Sequence, residues 1–235
     1  ERNPAKKLLC DAVVANPPFS YRWDHTDALG EDFRFKSYGL APKSAADFAF
    51  LLHGFHFLSD EGTMAIILPH GVLFRGGVES RIRTKLLKDG HIDTVIGLPA
   101  NLFFGTGIPA AILLFDRGRK DNTNVLFIDA SERYEAGKNQ NSLPDKAIDH
   151  VVQLYEQFRA GSQVQGIVED KFAYVATFDE IEENEFNLNI PRYVDTFEEE
   201  APVDMKATKK RIEKLEKKLS KVQGKMNDYL KELNL

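Results

Sequence analysis

Four consecutive residues, Asn16-Pro17-Pro18-Phe19, carry the strongest chemical signal in this chain. A carboxamide oxygen beside a backbone carbonyl, held by fixed proline φ angles, offers two adjacent acceptors at little entropic cost. Such a pair suits the methylation of an exocyclic base amine. The lone pair of that amine is delocalised into the ring, so the nitrogen is a poor nucleophile. Accepting both N–H bonds, through the Asn16 carboxamide oxygen and the Pro17 carbonyl, draws the amine towards tetrahedral geometry. Its lone pair is then free for in-line attack on a sulfonium methyl group. Phe19 can stack on a base that a duplex otherwise hides. No strong general base is required, because the amine can lose its proton after attack. The same four residues also fit an ordinary surface turn with Phe19 in the core. Position favours catalysis: open α/β sheets place ligands at the C-terminal ends of buried strands, and an apolar run, residues 11–15, leads directly into the turn.

The elements needed to position this turn can be read along the chain. Residues 11–15 form a short strand that ends where Asn-Pro-Pro breaks strand geometry. Residues 20–43 are polar, aromatic-rich and aperiodic, and read as a long loop, of a length that is usually functional or mobile. Ser44 is placed as an N-cap, and residues 45–58 follow as a helix with Phe48, Leu51, Leu52, Phe55 and Leu58 on one face. Residues 63–68 read as a strand, 78–88 as a helix stopped by Gly90, 92–98 and 110–116 as strands, and 124–129 as a further one. The near-continuous apolar runs AIIL and AILLF suit a sheet covered on both faces. This order describes the second half of a doubly wound α/β sheet ending in an antiparallel hairpin. Beyond Ser131 the pattern changes. Residues 146–158 read as a helix, 170–178 as extended and 186–194 as irregular. From Thr208 a long helix carries Ile212, Leu215, Leu219, Val222, Met226, Tyr229 and Leu233 in alternating steps of three and four, an a/d seam that a partner surface would support.

Other motifs are weaker. Gly105-Thr106-Gly107-Ile108-Pro109-Ala110 formally fits G-x-G-x-x-A, but a dinucleotide loop must follow a strand and open a helix. Here a Pro sits inside the motif and a strand follows, so it reads as a turn. No other glycine-rich loop follows a strand, and most of a cofactor pocket is therefore missing. His53 and His56 lack further ligands at metal spacing and read as packed or surface histidines. Trp23, Phe33, Phe35 and Tyr38 have the ring chemistry to stack on bases, or equally to clamp the loop to its own domain. Trp23, Phe33 and the later Phe103 are taken as candidate target-base or DNA-contacting residues. Arg22, Arg34, Arg75, Arg81 and Arg83 are either phosphate ligands or solvated charges.

Composition narrows the class. The 235 residues are 43% hydrophobic, enough for one sizeable core with appended structure. Apolar runs such as residues 109–115 are far too short to cross a bilayer. The single Cys10 and the lack of a leader-like start agree with a reducing cytoplasm. Residue 1 is Glu and chemistry-like sequence begins by residue 16, so the chain reads as part of a longer protein. The net charge of −5 hides a division: residues 205–235 hold ten Lys/Arg and four Asp/Glu, whereas residues 178–204 hold ten acids and one Arg. The broad basic footprint of a self-sufficient DNA binder is absent. Phosphate contact would then come largely from another chain or a missing region.

The wider pattern resembles one family. The segments DAVVANPPF (11–19), ADFAF (46–50), LPHGVLFRGG (68–77), IGLPANLF (96–103), TGIP (106–109) and FNLNIPRYV (186–194) occur in the order found in the modification subunit of type I restriction-modification systems. NPPF alone also suits methylases of rRNA guanine and of glutamine in release factors; the longer segments are more specific. The resemblance covers residues 11–194. It implies a Rossmann-like class I methyltransferase fold using S-adenosyl-L-methionine, with Asn16, Pro17 and Phe19 at the target adenine and Pro18 holding the turn. It also implies double-stranded DNA as substrate, a specificity subunit that reads the sequence, a second modification subunit and a restriction subunit. The long helix would pack on the specificity subunit. On this reading, residues 1–130 are the C-terminal half of the catalytic domain, 131–204 a family-specific extension and 205–235 a basic coiled-coil helix. The helical N-terminal domain and the SAM-binding first half of the catalytic domain are missing. An alternative of another class is a non-catalytic module that assembles through the helix.

Overall fold

The computed structural model describes residues 9–119, 123–161, 165–196 and 205–232. Its centre is a seven-stranded sheet. In chain order the strands are β1 (Cys10–Ala15), β2 (Leu58–Pro69), β3 (Ile92–Gly97), β4 (Ala110–Asp116), β5 (Val125–Asp129), β6 (Gly166–Glu169) and β7 (Ala173–Ala176). In space the order is β1-β2-β4-β3-β5-β7-β6. β1 and β2 are parallel, as are β3 and β5, while β4 runs antiparallel between β2 and β3. Helices α1 (Asp47–His56) and α2 (Val78–Lys88) connect the first strands, and α3 (Asp145–Arg159) follows β5. The sheet belongs to the α/β class expected from the alternating pattern.

Strand alternation divides the core into two layers. In β3, Val95 belongs to the layer shared with Leu51 and Leu52 of α1 and Ile82 and Leu86 of α2, whereas Ile96 belongs to the layer shared with Val151, Leu154 and Phe158 of α3. All six residues of β3 are buried, which explains its unbroken apolar reading and makes its Asp93 and Thr94 exceptions. β2 alternates instead: Met64, Ile66 and Leu68 are buried, while Thr63, Ala65 and Ile67 on its other face are only half-buried. β1 is an edge strand and more open still, with Val14 87% exposed.

Several elements differ from the sequence reading. Ser44 does not cap α1. Ala45 N–H donates to Pro42 O at 3.1 Å and Ala46 N–H to Tyr21 O at 2.8 Å, so the helix begins only at Asp47. β2 reaches back through Gly62 to Leu58, where Leu58 pairs with Cys10 of β1, while Arg117 N–H donates to the Gly62 carbonyl at 3.1 Å on the β4 side. The region after Ser131 adds to the same sheet: β7 pairs with β5, and the short β6 pairs with β7. A short helix, α4 (Phe178–Glu183), capped by the Thr177 hydroxyl, follows β7. The segment read as irregular is tied down. Leu188 N–H donates to Leu73 O at 2.9 Å, and Tyr193 stacks on Phe127 with ring centroids 4.0 Å apart. Phe127 is fully buried, and its truncation to Ala would cost about 3–5 kcal/mol.

The chain divides into two compact units, Glu1–Thr196 and Phe197–Leu235. The described residues of the second form one helix, α5 (Met205–Glu232). Ile212, Leu215, Leu219, Val222 and Met226 form the expected stripe along it, each between 51% and 58% exposed. Of the seam residues, Leu233 lies outside the described residues, as does the Tyr229 side chain. Among the described residues no helix is long and apolar enough to cross a membrane.

Candidate active site

The Asn16-Pro17-Pro18-Phe19 turn leaves the sheet at the C-terminal end of β1, beside the C-terminal end of its parallel neighbour β2. Asn16 and Pro18 are exposed and Pro17 and Phe19 half-buried. Asn16 makes no hydrogen bond to another described residue, so its carboxamide is available to a ligand. A cleft of about 320 Å³ is lined by Asn16, Pro17, Pro18, Phe19, Phe103, Phe104 and Thr106. The Phe19 and Phe103 rings meet edge to face, with centroids 5.4 Å apart and planes at 76°. An aromatic corner therefore stands beside two free acceptors.

Phe103 is delivered by the loop between β3 and β4. Residues 103 and 106 form an isolated antiparallel bridge, with Gly105 at φ +75°, a conformation that disfavours any residue with a Cβ. The Thr106 hydroxyl accepts from Ile108 N–H at 3.2 Å. Phe104, at the tip, is 93% exposed. The base of the loop is closed by Leu98 N–H to Ala110 O at 2.9 Å, and His70 N–H donates to Pro109 O at 3.1 Å. Its flank is braced by the later chain: Gln140 Nε2 donates to Leu102 O at 3.1 Å and Asn141 Nδ2 to Ala100 O at 2.9 Å. Residues after Ser131 thus help to hold a wall of the cleft. Burial lowers the pKa of His70, partly countered by Asp129, and favours its neutral form.

On the other side of the turn lies a buried ionic cluster. Ser20, immediately after Phe19, has φ +49° and donates its N–H to Asp47 Oδ1 at 2.7 Å. Asp47 is fully buried, and its second oxygen accepts from Arg75 at 2.6 Å. Arg75 Nε lies 2.7 Å from Glu79 Oε2. Burial raises the pKa of Glu79, against the lowering effect of Arg75. Arg83 donates to the carbonyls of Phe186, Val72 and Arg75 at 2.9–3.0 Å, and burial lowers its pKa to about 10.

Of the residues singled out in the sequence, the cleft brings together Asn16, Pro17, Pro18, Phe19 and Phe103. Trp23 and Phe33 do not line it. Trp23 donates from Nε1 to Pro42 O at 3.0 Å and packs 5.9 Å from Phe35, holding the loop to its own body. Phe33 is 83% exposed and borders a separate hollow with Arg34, Tyr38 and Phe55. Three of the arginines have internal partners: Arg34 pairs with Asp32 at 2.8 Å, Arg75 with Asp47, and Arg83 is buried against carbonyls. The sequence reading gave no site role to Phe104, which adjoins a motif, to Thr106, which opens TGIP, or to Asp47, which lies in ADFAF. A lone acid at the start of an apolar helix was the available signal. The Gly105–Ala110 stretch is a loop leading into β4, as its proline indicated. The residues around the cleft suit the amine side of a methyl-transfer site. Among the described residues no glycine-rich loop joins a strand to a helix at the β1 edge, so they do not make a cofactor site by themselves.

A family model described as N-6 DNA Methylase matches residues 2–201. The methylase subunit of the type I restriction enzyme MpnII from Mycoplasma pneumoniae is 34% identical over 228 residues, covering 96% of this chain and 40% of that protein. The corresponding HindI subunit from Haemophilus influenzae is 34% identical over 193 residues, covering 81% of this chain and 43% of its own. A crystal structure of a type I restriction-modification methyltransferase subunit from Streptococcus thermophilus aligns with a TM-score of 0.76 at 50% identity, over 84% of this chain and 40% of that one. The chain thus spans about 40% of the length of the first of these relatives.

Proposed function

This chain belongs to the N-6 DNA methylase family, and from that premise we propose that it forms the base-holding part of a type I modification subunit, which methylates adenine N6 in double-stranded DNA. One observation carries the reading: the free Asn16 carboxamide stands beside the Phe19–Phe103 corner at the C-terminal end of a parallel strand. The adenine amine donates one hydrogen to Asn16 Oδ1 and the other to the Pro17 carbonyl. The extruded ring lies against Phe19, with the edge of Phe103 closing one side. Pro18 keeps the carbonyl and the carboxamide in register. S-adenosyl-L-methionine, when bound, supplies the electrophilic methyl group. The region that would hold it belongs to the remaining length present in relatives, reached from the open edge of β1.

The same reading assigns sequence recognition to a specificity subunit in the cytoplasmic complex, with a second modification subunit and a restriction subunit completing the assembly. The half-exposed apolar stripe of α5 supports a docking role for that helix, and the basic residues around it keep it soluble while unpaired. A purely architectural chain would also use α5, but it would have no use for an unpartnered carboxamide in an aromatic cleft.

The test is methyl transfer by this chain joined to the remainder of a modification subunit, on hemimethylated DNA, rRNA and a release factor. Transfer to adenine in DNA, slowed about 10²–10³-fold by Asn16→Ala with DNA binding retained, is the expected result. Transfer only to RNA or protein, or full activity of Asn16→Ala, would overturn the proposal. Deletion of α5 should separately prevent copurification with the specificity subunit.

A further inference from the structure

We infer that Asp47 is a positioning residue for the Asn16–Phe19 turn, acting through the Ser20 amide, with Arg75 fixing its carboxylate. The inference rests on the function proposed above and adds a residue that the four-residue motif does not contain. The turn is held at its N-terminal side by the pairing of β1 with β2, the last register pair being Ala15 with Ile66. At its C-terminal side the first anchor is Ser20 N–H, which donates to Asp47 Oδ1 at 2.7 Å. Two backbone bonds then zip the following residues to the approach of α1: Ala46 N–H to Tyr21 O at 2.8 Å and Trp23 N–H to Lys43 O at 3.1 Å. Between these anchors, Asn16, Pro17 and Pro18 project into the cleft and Phe19 touches Phe103.

Ser20 occupies the left-handed region at φ +49°, which a residue with a Cβ adopts only when its surroundings require it. A charge-assisted bond from a fully buried carboxylate supplies that requirement. The carboxylate is itself fixed, because Arg75 holds Oδ2 at 2.6 Å and the Arg75 carbonyl accepts from buried Arg83. Contacts therefore run from α2 through Arg75 and Asp47 to the turn. Two acceptors gripping one amine need placement to about 0.5 Å, and misplacement by about 1 Å can cost about 100-fold in rate.

The experiment pairs kinetics with amide exchange. In the complete modification enzyme, Asp47→Leu should lower kcat about 100-fold while KM for DNA stays unchanged. Asp47→Asn, which keeps an acceptor oxygen for Ser20, should recover most of that loss. In this chain alone, Asp47→Leu should speed exchange of the Ser20 amide about tenfold or more while Leu51 and Leu52 in α1 keep their protection. An ester replacing the Ser20 amide leaves Asp47 and Arg75 untouched, and it should also lower kcat with KM unchanged. It decides the matter if Asp47→Leu fails to fold. A folded Asp47→Leu variant with wild-type kcat, an ester variant with wild-type kcat, or loss of Ser20 and α1 protection together would overturn the inference. The exchange measurement needs no methyl transfer, so it still decides the role of Asp47 if adenine is not the substrate.

Discussion

At the end of the sheet where β3 begins, Asp93 and Asp116 are nearly sealed from water and face arginines. Arg119 Nε lies 3.4 Å from Asp93, and Arg159 contacts both carboxylates. Tyr155 packs beside them, its pKa pushed up to about 12 by burial and then by Asp93. At the opposite end, where β1 stops, Asn16 is exposed without a hydrogen-bond partner among the described residues, and Phe104 projects into solvent. The two ends share one hydrogen-bonded scaffold yet treat polar groups in opposite ways. Paired and buried charge specifies how elements meet, whereas acceptors left open beside aromatic rings are available to a ligand. Polar residues therefore separate into structural and functional sets by what remains for them to bond.

The largest effect should come from the closed end. Asp93→Ala leaves Arg119 buried without its carboxylate and should destabilise the protein by about 3–5 kcal/mol in urea unfolding. Activity per folded molecule should be unchanged; a selective loss of activity would break the division. Asn16→Ala should do the reverse, lowering kcat by about 10²–10³ by analogy with removal of one preorganised hydrogen-bonding group, with an unchanged melting temperature. Phe103→Ala comes next. Loss of this edge-on ring from the corner should weaken binding of the extruded base by about 0.5–1.5 kcal/mol, measured as affinity for DNA with a mispaired target adenine.

The smallest effect is on pH dependence, and one half-buried imidazole near each end reports it. Burial lowers the pKa of both His70 and His91, so the folded state favours their neutral forms. The unfolded chain takes up protons first as pH falls below about 6.5. Stability should therefore be fully present above that pH and decline as pH falls towards the lowered folded values. His91→Gln or His70→Gln should each flatten the plot of urea midpoint against pH between about 5 and 7. A slope unchanged in both variants would assign the acid sensitivity to other groups.

Much of the fold was legible because hydrophobic periodicity reports local burial. Helix 78–88 and strand 110–116 have the limits read from the sequence, and β1, β3 and β5 differ by a residue or so. The misses share a cause. Ser44 has the chemistry of a cap, but backbone bonds from Ala45 and Ala46 occupy the place where the helix would have started. β6 is four residues long with its Ile167 exposed, too short and too open for alternation to register. At the candidate site, the NPPF turn could be read from sequence because proline geometry is a local property. Phe103 required the β3–β4 loop to fold back, and Trp23 and Phe33 were equally aromatic but are held elsewhere.

The sequence by itself determined the α/β class, the strand that ends in Asn-Pro-Pro-Phe, and the apolar stripe of the last helix, because each depends on residue type and spacing within one segment. Only the tertiary structure decided which groups remain unpaired, since that is a property of neighbours brought from far along the chain. Asp47 meets Ser20 across 27 residues, and Arg83 reaches the Phe186 carbonyl across 103. Local sequence carries no record of such meetings; they exist once the sheet has set which loops lie side by side.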